Sequence, residues 1–495
     1  MEATKASARI FTRQEIEGLL AASVGKTLEQ VDKAGLFASL QGKLKVTGIA
    51  GDVIEISVLG CGRDSKQEPD IVVDDVLVEL KTTGLVKPKK KDSPYLYECK
   101  EPVSITAVSI PVIVNEMFET SNFWHKLAHV LWVYYWYNSP VTVKLDGYRN
   151  FPILGYQFYE FDETDRLRLR QDWLLVRNFL QNIHHIYPTQ AEREAQYPRL
   201  SSELRGKLML IDTAPKYPNP PRFRLKRTFA TVIANAYFSR VKLEKLANPI
   251  TRYAEIDAKC TELTTLYAGK SFAEIAASLD VPLGNAKNFA ELVVLRMFGS
   301  NAGSLNKIED FVKIGLIAKS LPLKHTGAPK EAMKMFMPDF EEWASEESFE
   351  DSSLRNYFSE NQFLFIVYQY KDRADKNPQT IEFVGFKRVV VSDDFIETQV
   401  RNCWAEVHSL INESRLEIVK KFDKDGKPVI NPKSGVQQES PNFPKEAECD
   451  VFLRGSAKDS SDKHKTLEIN GLRMLPQEIW LSKRATMDFY KNRKR

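Results

Sequence analysis

Apolar and polar positions alternate most regularly in one short stretch. Ile71-Val72-Val73 is followed by Asp74-Asp75 and then by Val76-Leu77-Val78-Glu79-Leu80-Lys81. The period of two predicts two strands, with Val76, Val78 and Leu80 on one face of the second. Two aspartates between apolar runs predict a two-residue hairpin turn. Upstream, Ile16 to Leu36 has helical spacing, and Gly51-Asp52-Val53-Ile54-Glu55 predicts a helix leading to Gly60. Downstream, Val130 to Tyr137 predicts an aromatic strand, Gln171-Asp172-Trp173 the start of a helix to Ile183, and Leu208 to Ile211 a short strand. Pro218 to Pro221 reads as a turn, Phe223 to Arg227 as a basic strand, and Thr228 as the cap of a helix to Val241.

The hairpin also carries the candidate chemistry. Asp70 opens its first strand, and Glu79 and Lys81 leave one face of its second. Two carboxylates beside an ammonium suit metal-assisted hydrolysis of a phosphodiester: the carboxylates hold Mg²⁺, and the lysine orients water and offsets developing charge. The bland alternative is a solvated strand face, since D-x(n)-E-x-K recurs by chance. Other motifs fail. Gly25-Lys26-Thr27 ends like a phosphate loop, but that loop needs glycine where Leu20 stands. His125 and His129 have zinc spacing, but Lys126 replaces the glutamate of H-E-x-x-H. The segment with Lys45 and Gly48, the loop Lys87-Pro88-Lys89-Lys90-Lys91, and the run Arg224, Lys226, Arg227 near Lys216 are basic candidates for touching DNA backbone.

The second half echoes the first in the same order. Gly25-Lys26-Thr27-Leu28 returns as Gly269-Lys270-Ser271-Phe272, the acidic hairpin as Glu309 to Lys319, the aromatic strand as Phe363 to Tyr368, and Leu225-Lys226-Arg227-Thr228 as Leu481-Ser482-Lys483-Arg484. A duplicated domain is the simplest account. In the echo Ile317 stands for Glu79, Ser359 for Lys126 and Leu295 for Glu55; Asp310 and Lys319 remain. A lone carboxylate holds Mg²⁺ poorly, yet Arg454, Lys458, Lys483 and Arg484 keep the second copy basic, so it is expected to bind DNA without cutting it.

Composition changes little. The chain has 495 residues, enough for several domains, and a net charge of +4, which neither requires nor excludes nucleic acid. Five cysteines without a C-x-x-C pair argue against disulfides or a zinc knuckle and suit a reducing cytoplasm. No signal-like or membrane-spanning apolar run is expected.

Glu55, Pro69-Asp70, Glu79-Leu80-Lys81-Thr82, Glu119-Thr120-Ser121, His125-Lys126-Leu127, Val130-Leu131-Trp132, Asp172-Trp173 and Leu225-Lys226 together resemble the MutH family. The duplicated length resembles the two-domain type II restriction endonucleases of the MutH/Sau kind, which cut GATC. The resemblance implies two tandem α/β domains of restriction-endonuclease type, each a mixed sheet flanked by helices, over residues 1–240 and 241–495. It implies Asp70, Glu79 and Lys81 as catalytic set, Glu55 as supporting glutamate and further metal residue, and Lys126 as additional lysine. The spacing from Glu55 to Gly60 is one residue longer than in the family. Where the family has base-reading groups this chain has Asp212 and Arg224, while the second copy has Arg454, so cleavage is better supported than GATC. The expected reaction is Mg²⁺-dependent hydrolysis of double-stranded DNA at a short palindrome, leaving 5′-phosphate and 3′-hydroxyl. Its setting would be a cytoplasmic monomer that pairs on DNA, holds two sites at once, and is partnered by a cognate methyltransferase. The rival readings are a strand-specific nickase of mismatch repair and a dead DNA-binding regulator.

Overall fold

The computed structural model describes residues 9–40, 48–62, 68–88, 93–239, 243–283, 289–372, 377 and 379–492. Lys45, the lysines 89–91 of the predicted basic loop, and Val241 lie outside them. The chain divides into two compact units. Unit 1 comprises Met1–Ser139, Val143–Ile256 and Asn306–Gly315; unit 2 comprises Pro140–Thr142, Asp257–Leu305 and Leu316–Arg495. Both mix helices and strands, and no helix among the described residues is long and apolar enough to cross a membrane.

Unit 1 is built on a six-stranded mixed sheet. Its main path runs Ile10–Phe11, Ile71–Val73, Val76–Val86, Val130–Trp136, Ile153–Tyr159, with Glu98–Cys99 also on Val76–Val86. The predicted hairpin forms: Val73 faces Val76, and Asp74 and Asp75 take positive φ of 45° and 66°. Aspartate tolerates that left-handed turn, whose twist matches the strands. The second strand continues past Leu80 to Val86 because it gains a parallel partner, Glu79 to Leu85 lying against Val130 to Trp136. A second sheet joins Val103–Ala107, Arg222–Leu225 and Ile211–Asp212.

Three predicted features differ. The helix around Asp172 runs from Glu163 to Ile186, capped by Asp162. The helix begins eight residues before the expected start at Gln171, and Asp165 and Arg168 in that added stretch are buried and paired with each other. The helix after the basic strand starts at Arg227 behind Lys226, and Thr228 donates its hydroxyl to Lys313 O instead of capping. The acidic echo is not a hairpin: Glu309–Lys313 is a helix of unit 1. Its Asp310 pairs with Arg168 and its Lys313 with Asp165 at 2.6 Å, closing a buried group of four charges.

Unit 2 nevertheless repeats the frame of unit 1. Leu316–Leu323 lies parallel to Gln362–Gln369, which lies antiparallel to Glu382–Val389. Ile317 faces Phe363 as Glu79 faces Val130. The antiparallel register slips after Tyr134 in one unit and after Val367 in the other, opposite Gly155 and Gly385. A Cβ at Gly385 would meet Thr264 at 2.8 Å. The two G-K-T/S stretches dock alike. Gly25 and Gly269 donate to Ile153 O and Phe383 O, both at 2.8 Å, and Thr27 and Ser271 each close a capping box. They are helix caps on a strand edge, not phosphate loops. The second sheet, Met333–Phe336, Gln477–Leu481 and Val451–Gly455, repeats the pairing of its counterpart, with Leu481 in the place of Leu225. By that register Arg454, facing Glu478, corresponds to Ala214, next to Arg222, rather than to Asp212.

Asp172 is the buried polar anchor of the segment that enters the short strand Ile211–Asp212. It accepts N–H bonds from Met209 at 2.8 Å, Leu210 at 2.7 Å and Ile211 at 3.2 Å. Burial pushes its carboxyl up to about 6, against the pull of those N–H groups and of Lys226. Asp172→Ala would strand three buried donors and should cost about 2–4 kcal/mol in urea unfolding; a loss below about 0.5 kcal/mol would mean that the donors find other acceptors. Because the folded-state value is raised, this group's contribution to stability falls as pH rises from the ordinary aspartate range through about 6. Asp172→Asn should flatten that part of the stability–pH curve.

Candidate active site

Each element brings one group to the site. Glu79 lies near the start of a sheet-centre strand and is 2% exposed. Its N–H donates to His129 O at 3.0 Å, locking the entry of the neighbouring strand beside it. That strand is entered from the short helix Asn122–His125, whose cap Ser121 accepts from Trp124 N at 3.1 Å and donates to Phe118 O at 2.7 Å. Lys126 follows immediately. Its Nζ stands 3.0 and 2.9 Å from the two Glu79 carboxylate oxygens and 3.2 Å from Glu68 O. Lys81, two residues along the strand from Glu79, donates to Glu79 Oε1 at 2.6 Å and reaches Ile105 O at 3.5 Å. Asp70 comes from the hairpin's first arm, where its Oδ2 accepts the Leu80 N–H at 2.8 Å.

Asp70, Glu79, Lys81 and Lys126 are thus brought together. Glu55 joins them indirectly. It sits on a π turn, Val53–Val58, which holds one residue more per turn than an α-helix. That is a physical counterpart of the longer spacing to Gly60. Its carboxylate takes Arg9 Nη2 at 2.9 Å, while Arg9 Nη1 donates to Asp70 O at 2.8 Å and Nη2 also to Gly62 O. Among the described residues no three His, Cys, Asp or Glu side chains form a metal-holding group. The expected three-carboxylate metal set is therefore not gathered; Glu55 braces the site through Arg9. Arg9 escapes a reading of the sequence because its acceptors Asp70 O and Gly62 O are backbone carbonyls, which leave no mark there.

Burial raises the Asp70 carboxyl, and the nearby Glu79 charge raises it further; Lys81, the Leu80 N–H and Lys126 pull it down. Two hard carboxylates whose charges oppose each other, one of them with an oxygen uncommitted to the Leu80 N–H, suit a divalent cation. Asp70 and Glu79 are the residues that would hold it.

The expected DNA-contacting groups are scattered. Gly48, at φ 87°, precedes the helix Ile49–Asp52, and Lys216 is exposed in the proline-rich loop. Arg224 is held by both oxygens of Asp212, at 2.8 and 3.0 Å. Lys226 is not on the surface: it is 3% exposed and donates to Leu208 O at 2.6 Å, because its charge faces the buried Asp172. Arg227 is half-buried at its helix start. In unit 2 Lys458 and Lys483 are exposed, Arg454 lies 4.9 Å over the Trp480 ring, and Arg484 reaches Asp450 at 3.0 Å.

Asp70→Ala and Glu79→Ala should each slow cleavage by about a thousandfold or more while DNA binding survives, since both serve the cation and not the bases. Near-normal cutting by either variant would remove that residue from the site. A divalent cation held by Asp70 would compete there with protons, over a window that its raised value widens. The acid limb of the cleavage–pH profile should therefore shift to higher pH as the cation becomes limiting; a limb that ignores cation concentration would disconnect Asp70 from metal binding.

A family model described as DNA mismatch repair enzyme MutH matches residues 59–172, which takes in Asp70, Glu79, Lys81 and Lys126 and ends on Asp172. The type II restriction enzyme Sau3AI of Staphylococcus aureus is 24% identical over 442 residues, 84% of this chain and 84% of that one. Taken with the assembled Asp70, Glu79, Lys81 and Lys126 site, these likenesses to the MutH model and to a type II restriction enzyme support a site-specific deoxyribonuclease.

Proposed function

We propose that this chain is a Mg²⁺-dependent type II restriction endonuclease that cuts duplex DNA at a short palindrome, GATC, with unit 1. Unit 2 then binds a further copy of the site as an effector. The observation that carries the reading is an asymmetry on a shared frame. The same strand position holds Glu79 between two lysines in unit 1 and Ile317 in unit 2. The two domains, residues 1–240 and 241–495, would both be restriction-endonuclease folds, of which only the first has a live site.

In unit 1, Asp70 and Glu79 would hold Mg²⁺, which polarises the scissile phosphate and lowers the pKa of a water. Lys81 donates toward the attacked phosphate and offsets its growing negative charge. Lys126 pairs with both Glu79 oxygens and holds the buried carboxylate in place. Arg9 and Glu55 fix the backbone of Asp70. The products would carry 5′-phosphate and 3′-hydroxyl ends. Restriction is preferred to strand-specific nicking because the likeness to the restriction enzyme spans 84% of the chain, whereas the mismatch-repair family model spans only residues 59–172. A cognate methyltransferase and a monomer that pairs on DNA follow from the same reading.

Incubation with plasmid and Mg²⁺ separates the possibilities. Linear product with GATC at the sequenced ends supports restriction, nicked circles support the repair reading, and shifted but intact DNA means a dead regulator. A plasmid with two sites should be cut faster than one with a single site, through a coupling of about 1–3 kcal/mol. A short duplex carrying the site should rescue the single-site plasmid. Arg454→Ala with Lys483→Ala should erase that advantage and leave basal cutting intact; equal rates on both wild-type plasmids would sink the effector role.

A further inference from the structure

One element of unit 2 has no counterpart in unit 1. Between its long helix, ending at Asn412, and the strand Val451–Gly455, the chain forms a small β meander. The matching connection in unit 1 folds as two helices, Gln190–Gln196 and Pro198–Leu204. In the meander Ile418–Lys420 pairs antiparallel with Glu439–Pro441, and bridges tie Phe422 to Pro428 and Ile430 to Gln437. Its tips are preordered. Asp423 Oδ1 accepts the N–H groups of Asp425 at 2.9 Å and Lys427 at 2.8 Å, and Asn431 Oδ1 accepts that of Lys433 at 2.9 Å.

The meander surface combines charge and apolar area. Lys420, Lys421, Lys424, Lys427 and Lys433 are all exposed, and none is in an ion pair among the described residues. Of the three carboxylates in 418–441, Asp423 is spent on its turn and Glu439 is bound by Lys465 at 2.5 Å, leaving Asp425 against five lysines. Among the lysines Val419, Phe422 and Ile430 are 46, 53 and 46% exposed. The meander base lines a cavity of about 280 Å³ with Arg454, Lys458 and Lys465, together with the carboxylates Glu439 and Asp459. Ammonium groups suit phosphates, and an exposed aromatic on a β ribbon suits contact with a base step.

We propose that residues 418–441 form a DNA-gripping arm: the lysines hold phosphates of the duplex bound by unit 2, and Phe422 wedges against a base step of that duplex. The proposal rests on the reading of unit 2 as a DNA-binding effector. It is tested with the full chain carrying Asp70→Ala, titrated with a short GATC duplex at several salt concentrations until two duplexes bind. Changing Lys420, Lys421, Lys427 and Lys433 to Ala should leave the first binding event unchanged. The log K–log salt slope of the second event should become shallower by about 3.6, at about 0.9 for each of the four phosphates no longer neutralised. Lys421→Glu alone should weaken the second event in the same direction. Phe422→Ala should weaken it about tenfold and abolish the fluorescence rise of a 2-aminopurine placed in the effector duplex. If two duplexes bind but the lysine changes leave the second affinity and slope intact, the arm is wrong and the effector reading stands. If the chain takes up one duplex only, both fall. Self-association that Phe422→Ala abolishes, with DNA binding intact, would reassign the meander to a protein contact.

Discussion

A buried negative charge is the constraint on which unit 1 depends. Glu79 sits at the centre of the sheet, where an ionised carboxylate is costly by several kcal/mol unless matched. It is matched twice, by Lys81 from its own strand and by Lys126 from the approach to the next. The Glu79 N–H to His129 O bond and the Glu79–Val130 register hold those two strand entries together. Chemistry and architecture are therefore coupled. A cation at Asp70 and Glu79 would enter a site whose positive charges are already in place, and removing either lysine changes the sheet's electrostatics as well as the reaction's.

Much of this is legible in the sequence because it is local. Hairpin, turn and the Glu79–Lys81 spacing lie within a dozen residues, where a period of two decides which side chains share a face. Lys126 is legible only through the family likeness, since nothing in its own neighbourhood announces a partner 47 positions earlier. Arg9, which ties Glu55 to the Asp70 backbone, is not legible at all. Lys226 misleads for a related reason: a lysine in a basic strand reads as surface until Asp172, far away in sequence, is seen to be buried against it.

Asp310 shows two patterns competing over one segment. Read with period two, Glu309 to Lys319 looks like an acidic strand. Read with helical spacing, Asp310 and Lys313 share a face. The helix wins because that face meets Arg168 and Asp165, and four buried charges then satisfy one another. Long-range ion pairing overrides a local alternation.

The same outcome bears on the frame that unit 2 shares with unit 1. Lys319 occupies the place of Lys81 and spends its protons on Lys334 O and Met335 O, both at 2.8 Å; the Met335 contact is the counterpart of Lys81 with Ile105 O. Backbone acceptors hold the lysine where Lys81 meets Glu79 in unit 1. Ile317 removes that carboxylate, and the helix Glu309–Lys313 removes the strand that would have carried the second. In unit 1 Asp70 is delivered by the strand Ile71–Val73, which lies between Ile10–Phe11 and Val76–Val86. With Asp310 committed to Arg168, no such strand precedes Leu316–Leu323 among the described residues.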